Sequence, residues 1–289
     1  MNNKDVPYDD GGVFPTRDSA ARYIEGGNTT NRSYHADRIR AIRCLLVKLL
    51  NKNINKVVDF GCGDGMYISE NFAVTENQNA IGPIERIYCI DKSAPMIEYA
   101  RRNLSEFNCD YALGGVEQFE KVETSSVDLT LAIDVLGYLS TEERDEFFHQ
   151  VERITRPGGF LVVMCGNELL DVYALNSGTT AFFANNFDID ITSLLIEGDS
   201  PRPSNAMRLN PLNFGALVSE YGFDEIEQSY SQWHKVPPGL GNKGSDLAAS
   251  RMEMRDFNFD PNELPPIDKW KAMFRCSIFA SLCMRRGDS

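Results

Sequence analysis

The chain has 289 residues and a formal net charge of −13, with 42% hydrophobic and 25% charged residues. That length suits one large domain, or one domain with a cap, around a sizeable core. The acidic balance disfavours a nucleic-acid partner, because phosphate binding needs a basic surface. No run of about 18 apolar residues is present to cross a membrane. The polar start MNNKDVPYDDGG does not read as a signal peptide. The seven cysteines are odd in number and include no C-x-x-C pair. Most of them (Cys44, Cys89, Cys165, Cys276, Cys283) fall in apolar runs, the pattern of buried free thiols in a reducing cytoplasm.

Residues 1–33 read as an irregular arm with one short helix around Ser19–Glu25. A helix from about Asn31 to Asn51 follows, with Ile39, Ile42, Leu45, Leu46 and Leu49 as its apolar stripe. Arg32, Arg38, Arg40 and Arg43 read as a solvated face. The competing reading makes residues 1–52 a lid that brings Tyr34, His35 or Arg38 to a ligand. Val57-Val58-Asp59-Phe60-Gly61-Cys62-Gly63-Asp64-Gly65 is a short buried strand entering a glycine-rich turn and then a helix from Gly65 to Phe72. Alternate glycines let the backbone adopt dihedrals closed to other residues and approach a ligand closely. Thr75–Pro83 is a polar loop. Strand two, Arg86–Asp91, ends in an acid, and its spacing from strand one fits one βαβ unit. Such an acid can accept hydrogen bonds from ribose hydroxyls.

Ser93 is a good N-cap with Pro95 in the following first turn, and Met96, Ile97, Ala100 and Leu104 form that helix's inner stripe. Strand three is Cys109–Leu113, followed by Gly114-Gly115-Val116-Glu117. Strand four, Leu129–Ile133, ends at Asp134. A helix from Thr141 to Ile154 opens with a capping box, Ser140 with Glu143. Arg156-Pro157-Gly158-Gly159 reads as a turn before strand five, Phe160–Cys165. Residues 53–166 are therefore expected to form the core, and 167–209 a cap insertion carrying Phe182, Phe183 and Phe187. The core should resume over 210–289, with a helix from Asn210-Pro211 to Tyr221-Gly222. Strand six follows at about Glu225–Trp233, then a second insertion, 234–271, and strand seven, Phe274–Met284.

The glycine turn differs from a dinucleotide site, where glycines stand first, third and sixth and a diphosphate sits on the helix N-terminus. Here they stand first, third and fifth, and the sixth position is Met66. The flanking acids Asp59 and Asp64 would repel a diphosphate and suit a ligand bearing an amino group and a sulfonium. With this turn and Asp91, the sequence resembles the class I S-adenosylmethionine-dependent methyltransferases, over roughly Lys56 to Arg156. The resemblance implies an α/β doubly wound fold, a seven-stranded, mostly parallel sheet whose last strand is antiparallel. It also implies S-adenosyl-L-methionine as cofactor, held by Asp59, Gly61, Cys62, Gly63, Gly65, Asp91, Lys92, Met96, Val116, Glu117 and Asp134. The helix, Pro-Gly-Gly turn and apolar strand ending at Cys165 also match the family. One position departs: where the family often reads G-D-A-E, its acid holding the adenine amino group, this chain has Gly115. Backbone groups near Val116, or Glu117, are left to read the base.

Methyl transfer needs in-line placement and exclusion of water more than chemical activation, and a base only for a protonated acceptor. Asp134, His35 and His234 are the candidates; His149 reads as surface or structural, and Tyr138 is a weaker partner of Asp134. A metal-assisted reading would draw on Asp134, Asn167 and Glu168. Phe182, Phe183, Phe187 and Trp233 could line an apolar wall, and Arg202, Arg208, Lys235, Lys243 and Arg251 could hold an acceptor's carboxylate or phosphate. The expectation is a cytoplasmic enzyme that methylates a small molecule, at oxygen of a sugar or secondary metabolite. Nitrogen transfer, a nicotinamide dehydrogenase and a non-catalytic scaffold are the alternatives. Nucleic acid and membrane are not expected as partners, and a homodimer is left open.

Overall fold

The computed structural model describes residues 29–72, 84–170, 208–233 and 266–287. Seven strands form one sheet: β1 (Lys56–Phe60), β2 (Arg86–Asp91), β3 (Cys109–Leu113), β4 (Val127–Ile133), β5 (Thr155–Gly166), β6 (Phe223–Trp233) and β7 (Cys276–Arg285). Their order is β3-β2-β1-β4-β5-β7-β6. The first five run parallel, and β7 enters antiparallel between β5 and β6. The fold is the doubly wound α/β arrangement expected. Six α-helices accompany the strands among the described residues: α1 (Thr29–Leu46), α2 (Met66–Phe72), α3 (Ala94–Asn103), α4 (Thr141–Ile154), α5 (Phe214–Glu220) and α6 (Pro266–Arg275).

β4 is buried at every position, as a central strand with helices on both faces must be. Alternation along each strand sends neighbouring residues to opposite faces. Val57 joins the layer made with Leu45, Ile68 and Ala100 of α1, α2 and α3. Val58 joins Phe147, Val218 and Ala272 of α4, α5 and α6. In the second layer Phe60 lies 5.1 Å from both Phe119 and Phe147, ring centre to ring centre. The chain lays β1, β2 and β3 outward in one direction and then returns to place β4 on the other flank of β1. That reversal opens a crevice beyond the carboxyl ends of β1 and β4, the general ligand position in open α/β sheets.

Four expectations need correction. Asn210 closes a turn instead of starting a helix: its side chain accepts from Leu212 N–H at 3.0 Å, and α5 begins at Phe214. Arg156–Gly159 is a bulge inside β5, because Thr155 already pairs with Val127 before Phe160 pairs with Leu129. Residues 266–271, assigned to the second insertion, begin α6. Pro266 is the first residue of that helix, where its fixed φ is favourable and its missing N–H costs nothing. Cys44 is exposed although all seven cysteines are free thiols.

At the amino end of the sheet Asp128 fastens three strands. It accepts from Asn55 N–H at 2.8 Å and Lys56 N–H at 2.9 Å and pairs with Arg156. Burial works against its charge, but Arg156 and the two N–H groups outweigh that and hold the carboxyl below its ordinary range. Folding therefore favours the ionised form, and this contribution is present above the unfolded pKa and lost as pH falls through the folded one. Asp128→Asn should destabilise the protein by about 1–3 kcal/mol at pH 7 in urea unfolding. The difference from the parent should close as pH drops below about 4.

Candidate cofactor-binding site

The turn after β1 is strapped to β2. Gly61 N–H and Cys62 N–H both donate to Ile90 O, at 2.8 and 3.0 Å. Gly63 N–H donates to one Asp91 oxygen at 2.8 Å, and Ser93 N–H to the other, also at 2.8 Å. Asp91 is thus the joint between the glycine turn and the start of α3, and each of its oxygens keeps a lone pair for a further donor. Ser93 caps α3 through Met96 N–H, as its spacing predicts.

Glycine is required here for two different reasons. Gly61, Gly63 and Gly65 all take positive φ, at 70°, 55° and 79°, where a side chain is strained. Gly61 and Gly65 are also crowded: a Cβ would lie 2.7 Å from Val135 and 2.7 Å from Leu104 respectively. At Gly63 a Cβ would meet nothing within 4 Å. The turn is packed on both shoulders and open at its crown.

The hollow at that crown is acidic. Asp59 is 1% exposed, and its Oδ2 is buried without a hydrogen-bond partner. Burial, then the nearby charges of Asp91, Cys109 and Asp64, push its carboxyl up to about 8. Asp64 is raised by burial; it accepts from Met66 N–H at 3.1 Å and so caps α2. A helix N-terminus already satisfied by a carboxylate is a poor seat for a diphosphate.

Helix α1 brings opposite charge to the same place. Arg38, expected on a solvated face, is 7% exposed and forms an ion pair with Asp134. His35, three residues earlier on the same side of the helix, is within electrostatic reach of Asp64 and Asp134. Burial lowers its pKa in spite of those two acids, so the imidazole is neutral at pH 7. Asp134 ends β4 at φ 55°, with its N–H on Met164 O at 2.8 Å. Burial raises its pKa although Arg38 and His35 oppose that. Tyr138 is nearby, its phenol raised by burial and by Asp134. The sequence contains the clue to the Arg38–Asp134 pair only as the spacing of His35 and Arg38.

Along the flank towards β3, Lys92 Nζ reaches Glu143 of α4 at 2.7 Å. Met96 is 2% exposed and Cys62 4%. Val116 and Glu117 open a short 3-10 helix, Val116–Lys121, which starts where β3 ends beside Asp91; Gly114 N–H donates to Asp91 O at 2.9 Å. Asn167 and Glu168, grouped in sequence with Asp134 as metal ligands, are placed otherwise. The Asn167 amide donates to Met273 O at 2.6 Å and Cys276 O at 2.7 Å. Among the described residues no three His, Cys, Asp or Glu side chains are placed to share a metal ion. His149 is exposed on α4, 3.8 Å from Asp145. His234, Tyr34's side chain, Phe182, Phe183, Phe187, Arg202, Lys235, Lys243 and Arg251 lie outside the described residues.

Residues 58–163 match a family model described as a methyltransferase domain. Over that stretch the chain carries a methyltransferase domain of the S-adenosylmethionine-dependent kind. Two curated relatives, carboxy-S-adenosyl-L-methionine synthases of Erwinia tasmaniensis and Actinobacillus succinogenes, are 28% and 24% identical over 152 residues, or 52% of this chain. The chain's match spans about half the length of these relatives, 55% and 56%. Magnesium protoporphyrin IX methyltransferase of Synechocystis PCC 6803, solved with S-adenosylhomocysteine, superposes with a TM-score of 0.54 at 13% identity, covering 94% of this chain and 96% of that one. The N-methyltransferase NodS of Bradyrhizobium japonicum WM9, also with S-adenosylhomocysteine, gives 0.51 at 14% identity, covering 94% and 100%. At these identities the two structures speak for the fold.

The cofactor of the family is S-adenosylmethionine, and the hollow fits it. An open glycine crown admits a chain close to the backbone, an unpartnered buried carboxylate oxygen suits an ammonium, and Asp91 retains acceptor capacity for ribose hydroxyls. Asp59→Asn tests the electrostatics without ligand. A carboxyl raised to about 8 on folding favours folding below its unfolded pKa and loses that advantage as pH climbs through the folded value. The melting temperature of Asp59→Asn should therefore match the parent near pH 4 and exceed it increasingly towards pH 8.

Proposed function

We propose that this protein transfers the methyl group of S-adenosylmethionine to an oxygen of a small molecule, a hydroxyl of a sugar or secondary metabolite. The observation that carries the reading is the acid-lined crown at Gly63. It offers carboxylates to a cationic ligand and no cation to a diphosphate, which sets it apart from a nicotinamide site.

Bound cofactor supplies an already activated methyl group. The chain's own contribution is placement, and fixing two reactants in line can be worth roughly 7–11 kcal/mol. Asp91 and the Gly63 crown would hold the nucleoside, with Asp59 facing its amino-acid end. Met96, Lys92, Val116 and Glu117 would flank the base. Asp134 was expected either to orient the acceptor or to act as base. Its ion pair with Arg38 supports the first role, since the guanidinium already occupies the carboxylate oxygen Oδ2 and holds the group in place. His35, neutral at pH 7, is the better base for a hydroxyl proton. Arg38 and His35 stand on one helix, so docking α1 would complete the site and shield it from water in the same movement.

No described helix is long and apolar enough to cross a membrane, and the seven free cysteines suit a reducing compartment. Both support a cytoplasmic enzyme acting on a small soluble acceptor. The names of the curated relatives describe chemistry on the cofactor itself, so product analysis should follow both molecules. S-adenosylhomocysteine and an acceptor heavier by one methylene are expected; a carboxylated cofactor would replace this reading.

Asp91→Ala should weaken S-adenosylhomocysteine binding by about 10- to 150-fold in calorimetry, equivalent to roughly 1.5–3 kcal/mol of lost charge-assisted hydrogen bonds. Unchanged affinity would remove Asp91 from the ribose. His35→Gln should bind the same ligand normally but lose about 10²–10⁴ in kcat. The parent's activity should fall on the acid side below pH 6.5, where His35 takes up a proton, and this limb should be absent from the residual activity of the variant.

A further inference from the structure

Among the described residues other than glycine, only Ser125, Asp134 and Gln232 take a positive φ. Ser125 lies in a turn, and Asp134 belongs to the site. Gln232 lies inside β6 at φ 61°, one position before the strand ends, where no turn calls for it. It is 2% exposed. Its Oε1 accepts from the Ser277 hydroxyl at 2.8 Å, which turns the amide nitrogen away from Ser277. That nitrogen is buried with no hydrogen-bond partner among the described residues, as is the hydroxyl of Ser231 beside it. A residue other than glycine in the left-handed region is strained, and a buried donor left unbonded carries a desolvation penalty. The strand needs neither feature. Its register pairs Ser231 with Ile278 and Trp233 with Cys276, so the ladder is intact on both sides of Gln232.

The sheet gives this residue its address. β7 runs antiparallel to both β5 and β6, so β6 points the same way as β4 and β5. Gln232 therefore stands at the edge of the sheet that carries Asp134. The frame ties it there: Asn167 N–H, just after β5, donates to Ser277 O at 2.9 Å, and the Ser277 hydroxyl holds Gln232. Across the order β4-β5-β7-β6, three strand spacings separate Asp134 from Gln232, about 14 Å. We propose that Gln232 holds the far end of the acceptor, its Nε2 donating a hydrogen bond to an acceptor oxygen. A hydroxyl placed at Asp134 and an oxygen placed at Gln232 are too far apart to belong to one ring. Two linked rings, as in a disaccharide or a phenolic glycoside, span the gap. Gln232 is then a specificity-determining residue for an elongated acceptor that carries oxygen at both ends. This rests on the proposed methyl transfer to a small-molecule hydroxyl and narrows that reading to two-ring compounds.

The test measures S-adenosylhomocysteine formation by the full chain with two sets of acceptors. Methyl glucoside and catechol have one ring; maltose, phenyl glucoside and quercetin have two or more. At least one compound of the second set should turn over with kcat/KM about tenfold or more above the first set. Gln232→Met keeps the length of the side chain and removes the donor. It should raise KM for that compound about tenfold, with kcat, the single-ring compounds and S-adenosylhomocysteine affinity all within about twofold. Gln232→Asn, whose side chain is too short to reach but tolerates positive φ, should show the same split without a lower melting temperature, so a Met variant that fails to fold leaves the measurement intact. Equal turnover of both sets, or an unchanged KM in the folded variants, would overturn the proposal. So would a loss shared by every acceptor and by S-adenosylhomocysteine, which would assign Gln232 to supporting the sheet. A parent that binds S-adenosylhomocysteine but turns over no compound of either set would instead overturn the acceptor reading and this inference with it.

Discussion

The rest of the site depends on one carboxylate. Asp91 takes Gly63 N–H on one oxygen and Ser93 N–H on the other, which fixes the crown of the glycine turn against the start of α3. Without that joint, a turn with three residues at positive φ would keep its bonds to the Ile90 carbonyl and within itself, but its crown at Gly63 would lose its tie to β2. Because β1 and β2 are in parallel register, with Phe60 opposite Ile90, the acid arrives at the height where the turn leaves the sheet. The reversal of strand order then puts Asp134 of β4 on the opposite bank. Three strand ends and one side chain set the dimensions of the hollow before any ligand enters.

This arrangement has an electrostatic cost. Asp59, Asp64 and Asp91 crowd one small volume, and burial raises all three. The nearby charges of Asp91 and Asp64 add to burial at Asp59 and disfavour its ionisation, an effect that a cation beside it would oppose. The protein relieves the neighbouring Asp134 itself, with Arg38 from α1. The division is informative. At the crown Asp64 has the neutral imidazole of His35 within reach, whereas the acid on the far bank is paired with a guanidinium. The two banks therefore differ in how their acids are compensated.

The strands and their order were legible because two signals agreed: β-branched runs of the right length and acids or glycines at their ends. β2, β3 and α4 are found with the bounds their sequences predict, and the capping box of Ser140 and Glu143 is present in both directions. The features that escaped were those fixed by distant partners. Arg38 carries the same charge as Arg40 and Arg43, and nothing local reveals that it alone meets a carboxylate 96 positions away. Pro211 suggested a helix start that the Asn210 side chain turned into a closed turn. Proline fixes one dihedral; the path of the chain after it is decided by the neighbours that can continue the hydrogen bonding. At Gly115 the sequence revealed a missing acid and left backbone groups near Val116, or Glu117, in its place; the fold puts the Glu117 carboxylate over the paired glycines.

Beyond the cofactor hollow, Asn167 explains how the core stays fixed where the chain departs from it. Its amide donates to Met273 O and Cys276 O while its own oxygen accepts from Leu169 N–H at 3.0 Å. Its backbone bridges to Leu209 in parallel and donates to Ser277 O at 2.9 Å. One fully buried asparagine thus joins the end of β5, the segment entering at Leu209 and the junction of α6 with β7. These bonds tie the described chain near residues 167, 209 and 276 into one knot beside the carboxyl edge of the sheet. The end of β5, whose Met164 O also receives Asp134 N–H, is thereby fixed by bonds among the described residues themselves.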